Sequence, residues 1–365
     1  MKKYTTMARR IISAFLCCVL VFPCALGVSA SELDELSNSV SLWGHTYAAT
    51  DVSCREIYDA NGNQFILYEI GSQAYYIFDP ISEKFLEGSP SSPSPYLNKT
   101  GNLIYLGPTN YYVKTEDCYV HTVLGSSNSL SNNDVAILQK TFGQMLNGVQ
   151  NEALSTDNIG STAELNGIYD NMIEDDCSDE GYINYYITGY TNIKNATYPA
   201  NEGDTCGYVA GTLVLYYWHK RLGGIIPSAY LNSNGKLKTN GTTEDDNLQK
   251  KLISLGNGGS SWALEIRDVL IKYCEWKTIS ATSTYYLTGI GYRDELHNNR
   301  PAILFGAFPN VNGGLPVFHA VTAYGFHLDN ENATISTIVH YGWSGYSEVY
   351  LDTGLIGSVT LFNPQ

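Results

Sequence analysis

The chain has 365 residues, with 21 Lys and Arg against 36 Asp and Glu, a formal charge of −15. That balance excludes nucleic acid and anionic membrane as principal partners, because both polyanions reward cationic protein surface. At 44% hydrophobic and 16% charged residues, the composition is that of a globular protein long enough for more than one domain.

The first 30 residues read as an export signal. Lys2, Lys3, Arg9 and Arg10 form a positive start, residues 11–28 are apolar, and Val28-Ser29-Ala30 fits a small-residue cleavage site. The mature chain then begins near Ser31 with a formal charge of −19 once those four cations are gone. A retained anchor is the competing reading, but the run is short for a membrane span and Pro23 interrupts it. The expected location is therefore outside the cell, secreted or at the cell surface.

Five cysteines lie beyond the signal: Cys54, Cys118, Cys177, Cys206 and Cys274. An odd number in an exported chain implies at least one unbridged thiol. If Cys206 is that thiol, one pairing is Cys54 with Cys118 and Cys177 with Cys274, and the absence of any disulfide is equally consistent. Neither CxxC nor HExxH occurs, so the sequence offers no metal site and implies no cofactor.

From about Val40 to Val123 the sequence is strand-like. "QFILYEI", "AYYIFD", "NLIYLG", "NYYVK" and "CYVHTV" are β-branched and aromatic runs broken by Gly, Asn, Pro and Ser, while "GSPSSPSPY" (88–96) is a loop. A small antiparallel sheet is expected. The period then changes: Val135, Leu138, Phe142, Met145 and Val149 recur at helical spacing after a cap at Asn133 or Asp134. A linker is expected at 154–161, with a further helix near 162–172. These features divide the mature chain into residues 31–154 and 155–365.

The second half begins with helix signals: the run after Cys206, "DNLQKKLISLG", "SSWALEIRDVLIKYCEW" and "YRDELHNN". Strands follow in "PAILFGAF", "PVFHAVTAYGFHL", "ATISTIVHYGW" and "SEVYLD", the first two joined by the turn "PNVNGGLP". Helices followed by an antiparallel sheet define an α+β fold.

Cys206 stands where Asp204 or Thr205 can cap an apolar helix. The unpaired N–H groups of a first turn and the positive end of the helix dipole favour a thiolate there by about 0.3–1 kcal/mol. Gly207 and Gly211 lie within that helix, and each costs about 1 kcal/mol against alanine, so a packing or access requirement is expected at them. The alternative for Cys206 is a buried core thiol. A thiolate needs a base, and His319 lies on a strand where alternation places His319, Val321 and Ala323 on one face. A structural core histidine is the competing reading.

The ordered set of Cys206 at a helix start, His319 in "FHAVTAYG" and the segment "HYGWSGYSEVYLD" resembles the papain-like cysteine peptidases. Within them it is nearest the secreted streptopain-type enzymes and the peptidase domains of bacteriocin exporters, over about Tyr198 to Asp352. The resemblance implies a bacterial α+β enzyme in which a helical lobe carries the cysteine and an antiparallel sheet carries the histidine. It implies Cys206 as nucleophile and His319 as general base for peptide hydrolysis through an acyl-enzyme. Tyr341 and Trp343 correspond to an aromatic shield over the histidine.

Two positions depart from the family pattern. The residue that orients the imidazole is Asn or Asp in the family, and here it is His340, which brings no carboxylate charge; an orienting group elsewhere is the alternative. The glutamine that precedes the cysteine is missing from "YPANEGDTC", leaving Asn201 as the candidate oxyanion donor beside the backbone N–H of Cys206. Relatives made as zymogens suggest that residues 31–154 are a pro-domain that blocks the cleft and inhibits its own chain, a permanent binding module being the alternative. The expected partner is a protein or peptide substrate. A non-catalytic secreted binding protein on the same fold, and a Cys-His acyl transferase or amidase, are the competing functions.

Overall fold

The computed structural model describes residues 39–152, 171–177, 179, 181–200, 205–256, 263–286, 291–306, 319–330 and 334–365. The export signal, the 154–161 linker, Asn201 and the 309–316 turn lie outside the described residues, as does 162–170 of the helix expected near 162–172.

The fold is mixed α+β, dominated by one sheet of 16 strands joined by continuous pairing. The Tyr- and Ile-rich runs of the first half form its outer part. Strands Val52–Tyr58, Gln64–Ile70, Ala74–Asp79 and Lys84–Ser89 pair in sequence as an antiparallel meander. One parallel bridge, Tyr58 with Ile104, adds the hairpin Asn102–Tyr105/Tyr111–Lys114. The helix Asn132–Glu152 buries Val135, Leu138 and Phe142, as its 3.6-residue spacing predicts, and Phe142 lies 5.3 Å from Tyr105 and 5.6 Å from Phe65 between ring centroids.

The expectation of a separate small sheet differs from what is found. Lys84–Ser89 pairs with Val349–Asp352 of the second half, matching Gly88 to Tyr350 and Glu87 to Leu351, so the two halves share one sheet. An edge strand left unpaired would expose a row of backbone donors and acceptors, and this pairing satisfies them. An ion pair between a half-buried lysine and a buried glutamate sits at the seam: Lys194 Nζ lies 2.5 Å from Glu348 Oε2, and Tyr186 donates to Glu348 Oε1 at 2.6 Å.

In the second half, Ala320–Asp329 is central, buried along its whole length and flanked by Ala302–Phe305, Thr334–His340 and Tyr182–Tyr186. The apolar helix Cys206–Leu222 packs on it, with Leu248–Leu255 and Ala263–Lys277 covering the helix's other side. Four strands described in the second half differ from the expectation, which held none there: Ile173–Asp176, Tyr182–Tyr186, Ala281–Tyr286 and Ser358–Pro364. No disulfide joins Cys54 to Cys118 or Cys177 to Cys274. Among the described residues no helix is long and apolar enough to cross a membrane.

Candidate active site

The helix begins at Cys206, with Thr205 in the cap position. The Thr205 side chain caps nothing; its Oγ1 accepts from Gln249 Nε2 at 3.0 Å, so Leu248–Leu255 tethers the entry to the Cys206 helix. Gln249 is buried, and the sequence carries no local sign of this role. Cys206 is 5% exposed, and its Sγ accepts the backbone N–H of Ala320 at 3.3 Å. The helix start is thereby brought against the first residues of the central strand, next to His319.

That hydrogen bond has chemical weight. A main-chain donor aimed at sulfur favours the thiolate over the thiol, and the burial of Cys206 opposes it.

His319 donates its Nε2 hydrogen to the main-chain carbonyl of Tyr341. A carbonyl can only accept, so the proton of the neutral ring sits on Nε2 and Nδ1 keeps its lone pair. Trp343 lies against the ring, 4.5 Å between centroids, and Tyr341 meets it at 6.0 Å and 72°. Both residues named as the aromatic shield therefore touch His319. Burial pushes the imidazole down to about 4, opposed by its bond to Tyr341 and reinforced by the neighbouring His121. The ring is neutral at pH 7.

His340 is placed differently from an orienting side chain. It pairs across the sheet with Thr322, is 2% exposed, and its Nδ1 accepts the N–H of Gly342 at 2.8 Å. Tyr198 stands edge-on to it at 5.1 Å, and burial pushes it down to about 3. The acceptor on His319 Nε2 is the Tyr341 carbonyl, and His340 braces the turn that presents this carbonyl. Gly342 has φ +70°, and a Cβ there would stand 3.0 Å from Val209 on the Cys206 helix. Glycine suits both the left-handed backbone and the close approach.

The first half of the chain reaches the same place. Tyr111 and His121 meet Trp343 at 6.4 Å and 5.6 Å, both near-perpendicular. Glu87, wholly buried, accepts from Tyr111 Oη at 2.6 Å and Tyr341 Oη at 3.0 Å. Among the described residues no group of His, Cys, Asp or Glu has the arrangement of a metal site.

No protein-family model matches this chain, and no curated protein does. Among solved structures, a mutant fragment of prointerpain A from Prevotella intermedia aligns with 85% of this chain and 98% of its own length, at 12% identity and a TM-score of 0.38.

Proposed function

We propose that this chain is an exported papain-like cysteine peptidase made in a latent form, with Cys206 as nucleophile and His319 as base. The observation that carries this reading is the contact between Cys206 Sγ and the Ala320 N–H, which seats the sulfur beside the residue that follows His319. Nδ1 of His319, left with its lone pair by the Tyr341 carbonyl, takes the thiol proton. The thiolate adds to a peptide carbonyl carbon, and the amine leaves with the proton returned by His319. Water then attacks the thioester, with His319 again as base, releasing the acid and the thiol. The oxyanion would be met by the backbone N–H of Cys206, with Asn201 as the proposed second donor.

Latency follows from the same residues. A thiolate–imidazolium pair forms poorly while burial keeps His319 neutral. Tyr111 and His121 of the first half lie against Trp343, so removing residues 31–154 admits water and relieves that burial. A non-catalytic secreted protein on the same scaffold is the second reading, favoured by the neutral His319.

The test is cleavage of a denatured protein by the full chain and by the chain cut between its halves. Activity that appears on cutting and is abolished by Cys206→Ala, with Cys118→Ala unaffected, supports the peptidase. Activity that survives in Cys206→Ala ends this reading, and no cleavage by either form favours the binding protein.

A further inference from the structure

The N-terminal hairpin Ser39–Leu42/His45–Ala48 is seated on the second half of the chain, seven residues or about 20 Å along the central strand from the Cys206 contact. Asp179 N–H donates to the Gly44 carbonyl at 3.0 Å. A Cβ at Gly44, which has φ +83°, would stand 2.7 Å from Tyr182 Cβ and 3.0 Å from His327 Cε1. The hairpin tip therefore rests directly on those rings. Trp43 stacks on Phe85 at 4.3 Å, and His327 is sandwiched by Tyr350 at 4.4 Å and Tyr182 at 5.5 Å.

The hydrogen bonds joining hairpin to sheet run in one direction. Asn184 Oδ1 takes the Nδ1 hydrogen of His327 at 2.8 Å, so its amide N–H points to Tyr350 Oη, 3.0 Å away. Tyr350 then has its own hydrogen for His45 Nε2, at 3.1 Å. The chain ends on the lone pair of a neutral imidazole. Asn184, His327 and Tyr350 are buried, whereas His45 is only partly so, and solvent protons reach the chain at that last member. A proton on His45 Nε2 turns the acceptor into a donor facing a hydroxyl that already receives Asn184, and Tyr350 loses the partner for its hydrogen.

We propose that His45, with Tyr350, Asn184 and His327, is an acid-released latch that holds the N-terminal hairpin on the sheet at neutral pH. The groups acting on His45 are the carboxylates of Glu348, Asp179 and Asp175, the ammonium of Lys194, and the rings of Tyr47, His327 and Tyr350. Burial is the largest influence and holds His45 below its ordinary 6.5, the three carboxylates pull upward, and Lys194 is engaged with Glu348. His327 is also held well below the ordinary range, by burial and then by the charge His45 would carry. An undocked His45 binds its proton more readily than a docked one. Docking is therefore complete above about 6.5 and weakens as the pH falls from there through the docked value.

Amide hydrogen exchange over residues 39–48 of the full chain tests the latch, with rates corrected for the intrinsic effect of pH. Protection should fall about tenfold or more between pH 7.5 and pH 5.0 in the wild type. His45→Gln keeps an acceptor for Tyr350 that does not titrate, and its protection should change less than about twofold. His45→Phe keeps a ring without titration and must also be pH-independent, which covers a failure of the glutamine variant to fold. Tyr350→Phe should expose the hairpin equally at both pH values. Unchanged wild-type protection, or a full loss persisting in either His45 variant, overturns the proposal. The readout does not involve Cys206, so the latch stands or falls separately from the peptidase reading.

Discussion

The Nε2 hydrogen of His319 is held by the main-chain carbonyl of Tyr341, so the imidazole is oriented by backbone and not by a side chain. That carbonyl is fixed from both sides. Tyr341 N–H donates to the Tyr346 carbonyl at 2.9 Å, and Gly342 N–H donates to His340 Nδ1 at 2.8 Å.

The brace at His340 should be replaceable by any acceptor two residues before Gly342. Asn supplies one, since its side-chain oxygen reaches the N–H two positions on in an Asx turn. His340→Ala should lower unfolding stability by about 1–3 kcal/mol through the orphaned N–H and the emptied volume. His340→Asn should recover part of that loss in denaturant midpoint and more of the proposed peptide-cleaving activity. Equal behaviour of the two variants would remove the brace from the account.

Glu87 makes stability depend on pH. Burial, opposed by hydrogen bonds from Tyr111 and Tyr341, pushes its carboxyl up to about 8. The folded state then binds a proton that the unfolded chain releases above about 4.5. The associated stability is complete below 4.5 and lost as pH rises through about 8. Glu87→Gln should flatten this fall, giving a Tm above wild type at pH 8 and a difference that shrinks toward pH 4.5. A constant difference across that range would contradict a neutral buried carboxyl.

The Lys194–Glu348 pair sits where the halves of the sheet meet. Lys194→Met leaves a buried carboxylate uncompensated and should cost about 2–4 kcal/mol in chemical denaturation. Adding Glu348→Gln removes that charge, and the double variant should be more stable than Lys194→Met alone. A double variant no better than the single one would mean that the charge is not what destabilises.

A packing or access requirement is expected at Gly211 in the Cys206 helix, and the structure gives no packing need. A Cβ there would meet Leu252 Cδ1 and Leu270 Cδ2 at 3.5 Å, an ordinary contact. Gly211→Ala should therefore raise stability by about 0.5–1 kcal/mol, read from thermal unfolding.

What the sequence discloses follows the range of its signals. The Cys206 helix is legible because its apolar run is long, and the central strand because residues around His319 are β-branched, small or aromatic. Ala281–Tyr286 escapes notice because "ATSTYY" is an edge strand whose first four residues are small and mostly polar, paired to Ser358–Pro364. Glu87 carries no local pattern, since its partner Tyr341 lies 254 positions away. The family pattern draws attention to His340, yet the atom that holds His319 is a carbonyl, and a carbonyl has no letter in a sequence. Only the turn around Gly342 reveals it.

The central claim is that Cys206 reacts as a nucleophile because His319 takes its proton. Mass-spectrometric measurement of alkylation by a peptidyl chloromethyl ketone, on the chain cut between its halves, tests this directly. One equivalent should attach to Cys206, none should attach in Cys206→Ala, and His319→Ala should slow the reaction by about 10²–10⁴. Alkylation of Cys206 at the same rate in His319→Ala, or attachment at Cys118 in its place, would contradict the account.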